Sequence, residues 1–372
     1  MKWFHPLAFA SIPLMIVSER PLAAAEMDLY VGTYTKKEGS KGIYRFGFNT
    51  ETGALSSGEL VAETKNPSFL AIHPNRKFLY SVNEVDGSGG ASAYAITQQG
   101  KLMPLNQQPS KGAGACHLTV DPAGKYVLVA NYGAGNISAL PIQPDGSLGE
   151  ATGFVQHTGS GPNQRRQEAP HAHSIYTQDG FVYACDLGTD QVLVYRLDAA
   201  KGTLAPSDPP FAKVPPGSGP RHLAFHGGYA YVINEMLNTV TVFQHNERSG
   251  ALEPLQNITT LPEGVTGNSS TAEIFVHPNG KFVYGSNRGH DSIAVFAIGE
   301  GGRLTAVAHT STQGKSPRNF ALDPSGRWLI AANQDTNNMV VFKVDASTGK
   351  LTPAGHSAQL GAPVCVTFMP AN

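Results

Sequence analysis

Apolar and polar residues alternate in short runs along most of the chain, and the runs are interrupted by Gly, Pro, Asn and Asp. Alternation with a period of two predicts strands, and that punctuation predicts tight turns. The stretch Gly217–Asn238, GSGPRHLAFHGGYAYVINEMLN, holds one whole hairpin: an apolar run ending at His226, a Gly-Gly turn, a second run, and then Asn234-Glu235. The same pattern recurs. The residue just before the corresponding turn is His73, Asp121, Thr177, His226, His277 and Asp323, at intervals of 48, 56, 49, 51 and 46. A repeat of that length predicts an all-β propeller in which each copy supplies a four-stranded antiparallel blade. Within one copy the strands read as 223–226, 230–233, 239–244 and 252–258. A seventh copy is divided between the ends of the chain: residues 362–370 supply its first strand and residues 28–48 the next two. Joining both termini in one blade of a seven-bladed β-propeller leaves no long open sheet edge.

Composition narrows this picture. The 41 Gly and 26 Pro of the 372 residues recur with the period and sit between apolar runs, so they act as turn residues. No linker divides residues 26–372, which read as a single domain. A net charge of -1 with 15% charged residues gives no electrostatic basis for a nucleic-acid or anionic-membrane partner. Residues 1–25 differ from the rest: Lys2, an apolar run from Pro6 to Val17, and Ala23-Ala24-Ala25 follow the order of a secretory signal peptide. The run is too short to span a membrane. Cleavage near Ala25 and an exported protein, periplasmic or extracellular, are therefore expected. Cys116, Cys185 and Cys365 are too few and too scattered for a disulfide framework and read as buried small hydrophobes.

Internal repetition separates scaffold from site. A residue type that recurs in each blade serves the blade, whereas a polar residue that changes at a fixed position can build an asymmetric site. The second strand ends at Asn83, Asn131, Asp186, Asn234, Asn287 and Asn333, which read as scaffold bonding to neighbouring turn backbone. The next residue varies: Glu84, Tyr132, Leu187, Glu235, Arg288 and Gln334. A second variable column starts the innermost strand, with Phe69, His117, His173, His222, Glu273 and Asn319, preceded by Ser68, Cys116, Ala172, Arg221, Ala272 and Arg318. The start of strand one and the end of strand two lie on the same face, so both columns ring one mouth of the central channel. His226 and His277 fall at the opposite face and read as scaffold.

These residues resemble the seven-bladed lactonase family that includes the propeller-type 6-phosphogluconolactonases of bacteria and the carboxy-muconate lactonizing enzymes of fungi. The likeness runs from about Leu29 to Pro370 and is carried by YVGTYT (residues 30–35), PHAHS and DLGTDQV (170–174, 186–192), GPRHLAFH with NE (219–226, 234–235), SNR (286–288) and SPRNFALDPSGRWLIAANQ (316–334). It implies that His173, Arg221, Glu235 and Arg288 match the family's catalytic group, with His173 chosen over His171 because it stands in the inner-strand column. Their types suit lactone opening: a carboxylate to take a proton from water, an imidazole to position that water or return a proton to the leaving oxygen, and guanidinium groups to neutralise an oxyanion and hold an anionic substrate. His117, His222, Glu84, Glu273, Arg318, Asn319 and Gln334 are the expected substrate-binding residues. No zinc spacing such as HExxH or CxxC appears, so neither a metal nor another cofactor is expected. Three functions fit: hydrolysis of a sugar-acid lactone, cycloisomerisation of an unsaturated diacid, or a binding propeller without catalysis.

Overall fold

The computed structural model describes residue 1 and residues 26–35, 39–87, 89–265 and 267–370. The signal-peptide reading falls on residues 2–25, outside the described residues. Among the described residues, twenty-eight strands pair into seven four-stranded antiparallel sheets arranged as the blades of a β-propeller. The blades are numbered in chain order from the one that joins the two ends, the innermost strands of blades 2, 3, 4, 6 and 7 beginning at Leu70, Ala115, Ala172, Ser270 and Pro317; blade 5 illustrates the unit, with Pro220–His226, Tyr229–Asn234, Thr239–His245 and Leu252–Thr259 in order from the centre outward. Blade 1 takes its innermost strand, Pro363–Pro370, from the C-terminal end, and Glu26–Thr33, Gly42–Asn49 and Glu59–Glu63 from the N-terminal end. Pairing of Leu29 with Phe368 and Val31 with Val366 closes the ring, as the split seventh copy predicts.

The core is divided among the seams. Seven hydrophobic clusters each join two adjacent blades; the one around Phe46, Phe48, Trp328 and Ile330 seals blade 7 to blade 1. A row of buried tyrosines on the second strands fastens the same seams. The hydroxyls of Tyr30, Tyr80, Tyr183, Tyr231 and Tyr284 donate to the carbonyls of Gly100, Gly146, Gly250, Gly302 and Gly349, each in the outer turn of the next blade. In blades 3 and 7 that position holds Leu128 or Ile330, and an aromatic residue two positions earlier takes over. Tyr126 donates to Ala199, and Trp328 Nε1 to Thr50. Tyr284→Phe removes one such bond and leaves a buried carbonyl unpaired, so a loss of about 1–2 kcal/mol is expected. It would be read as a lower denaturant midpoint at unchanged slope.

The recurring Asn column is scaffold, though its main partners differ from those expected. Asn131 bonds Ser110, Asn287 bonds Thr260, and Asn333 bonds Thr312, all in the connection arriving from the preceding blade. Asp186 also caps its own turn through the Thr189 amide and accepts from His157 Nδ1 at 2.6 Å. His277 lies on the far face, bridging to the Gly326 carbonyl at 2.8 Å. Cys116, Cys185 and Cys365 are unpaired and buried.

Candidate active site at the channel mouth

The geometry of the mouth begins with a repeated irregularity. In blades 3, 4, 5 and 7 the pairing of the first two strands skips one residue: Cys116, His173, Arg221 and Arg318, respectively. A bulged residue leaves the ladder and its side chain is re-aimed. These four side chains turn to the mouth in place of the usual alternation. The bulge also corrects the sequence alignment of blade 4. Its hairpin pairs Gln178 with Phe181 as blade 5 pairs His226 with Tyr229, so the mark before the turn is Gln178, not Thr177. His173 therefore corresponds to Arg221, and Ser174 to His222.

Glu235 lies at the centre. Its Oε1 accepts from Arg166 Nη2 at 2.6 Å, and its Oε2 meets Arg221 Nε at 3.1 Å and Arg288 Nη2 at 3.0 Å. His173 Nε2 stands 4.0 Å from the same Oε2. The four residues expected to carry chemistry are thus gathered around one carboxylate, although they come from blades 4, 5 and 6. Burial by itself would raise the Glu235 carboxyl, but Arg288, Arg221 and Arg166 outweigh it and hold it at about 2. Burial, reinforced by Arg221, holds His173 well below the usual imidazole range, so the ring is neutral at pH 7. Burial also brings Arg288 down to about 10.

A cavity of about 350 Å³ opens over this group, lined by Glu84, Cys116, Tyr132, Arg166, His173, Glu235, Ser270, Arg288 and Arg318. Glu84 Oε2 accepts from Ser68 Oγ at 2.5 Å and from Tyr34 at 2.9 Å, while the Arg318 guanidinium lies 5.2 Å from the Tyr34 ring centre. Of the expected substrate-binding residues, Glu84 and Arg318 reach the cavity wall. His117, His222, Glu273 and Asn319 lie deeper, each 3% exposed or less. Gln334 points elsewhere, to Asp335 at 3.1 Å, and does not line the cavity.

The deep residues support the wall. Arg221 Nη1 approaches His222 Nε2 at 3.3 Å and donates to the Ala272 carbonyl at 2.6 Å. Because a guanidinium only donates, His222 Nε2 is the acceptor, and its Nδ1–H donates to Glu273 Oε1 at 2.8 Å. Asn319 Nδ2 donates to Glu273 Oε2 at 2.6 Å, and the Asn319 carbonyl oxygen accepts from the Val366 amide at 2.8 Å. Burial lifts Glu273 to about 7 against the pull of Arg221. A continuous chain therefore runs from the closing strand of blade 1 through Asn319, Glu273 and His222 to Arg221.

Three wall residues escaped the sequence reading: Tyr132, Arg166 and Ser270, the last at the start of the strand Ser270–Val276. Tyr132 stood in a variable column without a role; its ring stacks on His171 at 4.6 Å and meets His173 edge-on at 5.5 Å. Arg166 stood in no column. It belongs to residues 157–171, the connection between blades 3 and 4, which accounts for the long 56-residue interval. Such connections lie on the mouth face, so that excess length was the available signal.

Fold and mouth together define a seven-bladed β-propeller with a charged, asymmetric cavity at one end of its channel. The chain belongs to the family described as Lactonase, 7-bladed beta-propeller, which it matches over residues 28–368. It is 42% identical over 346 residues to the 6-phosphogluconolactonase of Bacillus subtilis (strain 168), covering 91% of this chain and 97% of that one. It is 36% identical to the 6-phosphogluconolactonase of Formosa agariphila, covering 87% of this chain and 94% of the relative. The solved structure of the Pseudomonas aeruginosa periplasmic gluconolactonase superposes with a TM-score of 0.88 at 32% identity, covering 94% and 100% of the two chains. The protein is a lactonase.

Proposed function

We propose that the protein hydrolyses a sugar-acid lactone, gluconolactone or its 6-phosphate, with Glu235 as the base. The observation that carries this reading is the arrangement around Glu235 Oε2, with His173 Nε2 at 4.0 Å and two guanidinium groups, the buried Arg221 and the part-buried Arg288, on the same oxygen. Two hydrogen bonds of about 2.8 Å can meet at one water across such a gap. That water attacks the lactone carbonyl carbon as Glu235 accepts its proton, while His173 Nε2 orients it. The carbonyl electron pair moves to oxygen, where Arg288 at the cavity wall neutralises it with the added charge of Arg221 buried behind Glu235. Collapse breaks the ring C–O bond, the proton taken up by Glu235 passes to the ring oxygen, and the hydroxy acid leaves with Glu235 again ionised. Arg166, Arg288 and Arg318 face only Glu84 and Glu235 at the cavity wall, an excess of positive charge that favours an anionic substrate.

Purified protein should open gluconolactone or its 6-phosphate, followed as acid release at constant pH, well above the buffer rate. Neither lactone opening faster than in buffer would remove the reading. We place the mature enzyme outside the cytoplasm, a reading supported by the leader-like residues 1–25 and by similarity to a periplasmic relative. Sequencing of protein recovered from the periplasm or medium should begin near residue 26; a chain starting at Met1 would overturn this.

A further inference from the structure

We propose that Arg166 reads an acidic substituent on the lactone, and that by engaging it Arg166 loosens its hold on Glu235 and makes that carboxylate a better base. This rests on the hydrolytic reading above and names the substrate class that the same site prefers.

Arg166 differs from the other two guanidinium groups around Glu235. Arg221 comes from the innermost strand Pro220–His226 and Arg288 from the second strand Phe282–Arg288, with side chains 2% and 17% exposed. Arg166 comes from the long connection between blades, and its side chain is 44% exposed. The backbone beneath it is nevertheless fixed. Neighbouring Gln167 is fully buried; its Nε2 donates to the Leu187 carbonyl at 2.9 Å and to Asp190 Oδ1 at 2.8 Å. Its main-chain amide donates to Asn163 at 2.7 Å, and a Cβ on Gly161 would lie 2.5 Å from its side chain. Arg166 is thus a long side chain on a rigid base, reaching across the mouth from the connection between blades 3 and 4 towards blade 5.

Its bonding leaves donors to spare. Nη2 makes both of its hydrogen bonds, to Glu235 Oε1 at 2.6 Å and to the Tyr132 hydroxyl at 3.2 Å. Among the described residues no acceptor meets Nε or Nη1. A guanidinium carries five N–H donors in a planar fork suited to a carboxylate or phosphate, so three remain for a ligand. The Arg166 side chain is half-exposed, so water and a ligand anion can take up the donors it withdraws from Glu235. Arg221 and Arg288 stay in place and keep Glu235 ionised.

Coupling follows from charge. Glu235 is faced by Arg166 from the connection, Arg221 and His222 from blade 5, Arg288 from blade 6, Arg318 from blade 7, His173 from blade 4 and Tyr132 from blade 3. Drawing Arg166 towards another anion removes part of one of the three cations that hold Glu235 at about 2, so its basicity rises. A neutral lactone leaves that cation where it is.

The test compares wild type, Arg166→Met and Arg166→Lys on gluconolactone, its 6-phosphate and a glucarolactone carrying a carboxylate. In wild type the acidic lactones are expected to exceed the neutral one in kcat/KM by at least tenfold. In Arg166→Met that ratio should fall towards one, the acid limb of the neutral lactone's kcat/KM should move to higher pH, and Arg166→Lys should restore part of the ratio. A response to the phosphate alone, the carboxylate alone, or both supports the inference and identifies the source of the anion. An unchanged ratio with an unmoved acid limb overturns it. Calorimetric binding of 6-phosphogluconate against gluconate needs no turnover: wild type should prefer the phosphate at least tenfold, and Arg166→Met should not. Equal preference in the two proteins overturns the inference even if lactones are hydrolysed. Intact preference without turnover counts only against the hydrolytic reading.

Discussion

Glu235→Gln is expected to lower kcat/KM for lactone opening by about 10²–10⁴, the span associated with a general base. The amide matches the carboxylate in shape but cannot accept the water proton, and its NH2 group would face Arg166 or the Arg221 and Arg288 pair, donor against donor. Stability should also fall. The Glu235 carboxyl drops from 4.5 to about 2 on folding, so its contribution is fully present above the unfolded value and is lost as pH falls through about 2. That difference corresponds to about 3 kcal/mol at neutral pH. Unfolding followed at pH 7 and at pH 3 separates the two effects: the gap between wild type and variant should narrow at the lower pH. A variant that opens lactones at the wild-type rate would show that another group takes the proton.

Arg221→Met should be nearly as damaging, with kcat reduced by about 10²–10³ as for loss of an oxyanion donor. The side chain is 2% exposed and joins Glu235, the Ala272 carbonyl and His222 in a single fork. Methionine fills the volume but leaves the carbonyl and one carboxylate contact unpaired, so a stability loss of about 3–5 kcal/mol is expected. Arg221→Lys is the informative control. Its point charge cannot reach Glu235 and Ala272 together, so it should regain stability before it regains rate. If kcat survives and only KM rises, Arg221 holds substrate and does not stabilise the transition state.

Much of the architecture was legible in the chain because it repeats. A period-two pattern read seven times, with a first strand at residues 362–370 and its neighbours near residue 28, is enough to count blades and close the ring. His173, Arg221, Glu235 and Arg288 were legible as members of the columns that vary from blade to blade, and the family resemblance singled them out from the other polar residues there. Less legible were features set by a single residue of register. The turn mark in blade 4 is displaced by one position, which hid the equivalence of His173, Arg221, Cys116 and Arg318. Gln334 shares a column with Glu235 yet turns to Asp335, because a column specifies where a Cα sits and not where a long side chain ends.

By itself, then, the order of residues determined the strands, the turns, the number of blades and the mouth on which chemistry is placed, because each depends on neighbours a few positions apart or on recurrence. Only the tertiary structure decided that Arg166 crosses to Glu235, and that Asn319, Glu273 and His222 support Arg221 from below. Those contacts join residues from different blades and connections. Their partners are chosen by how the seams pack and where each bulge re-aims a side chain, and no local pattern encodes either.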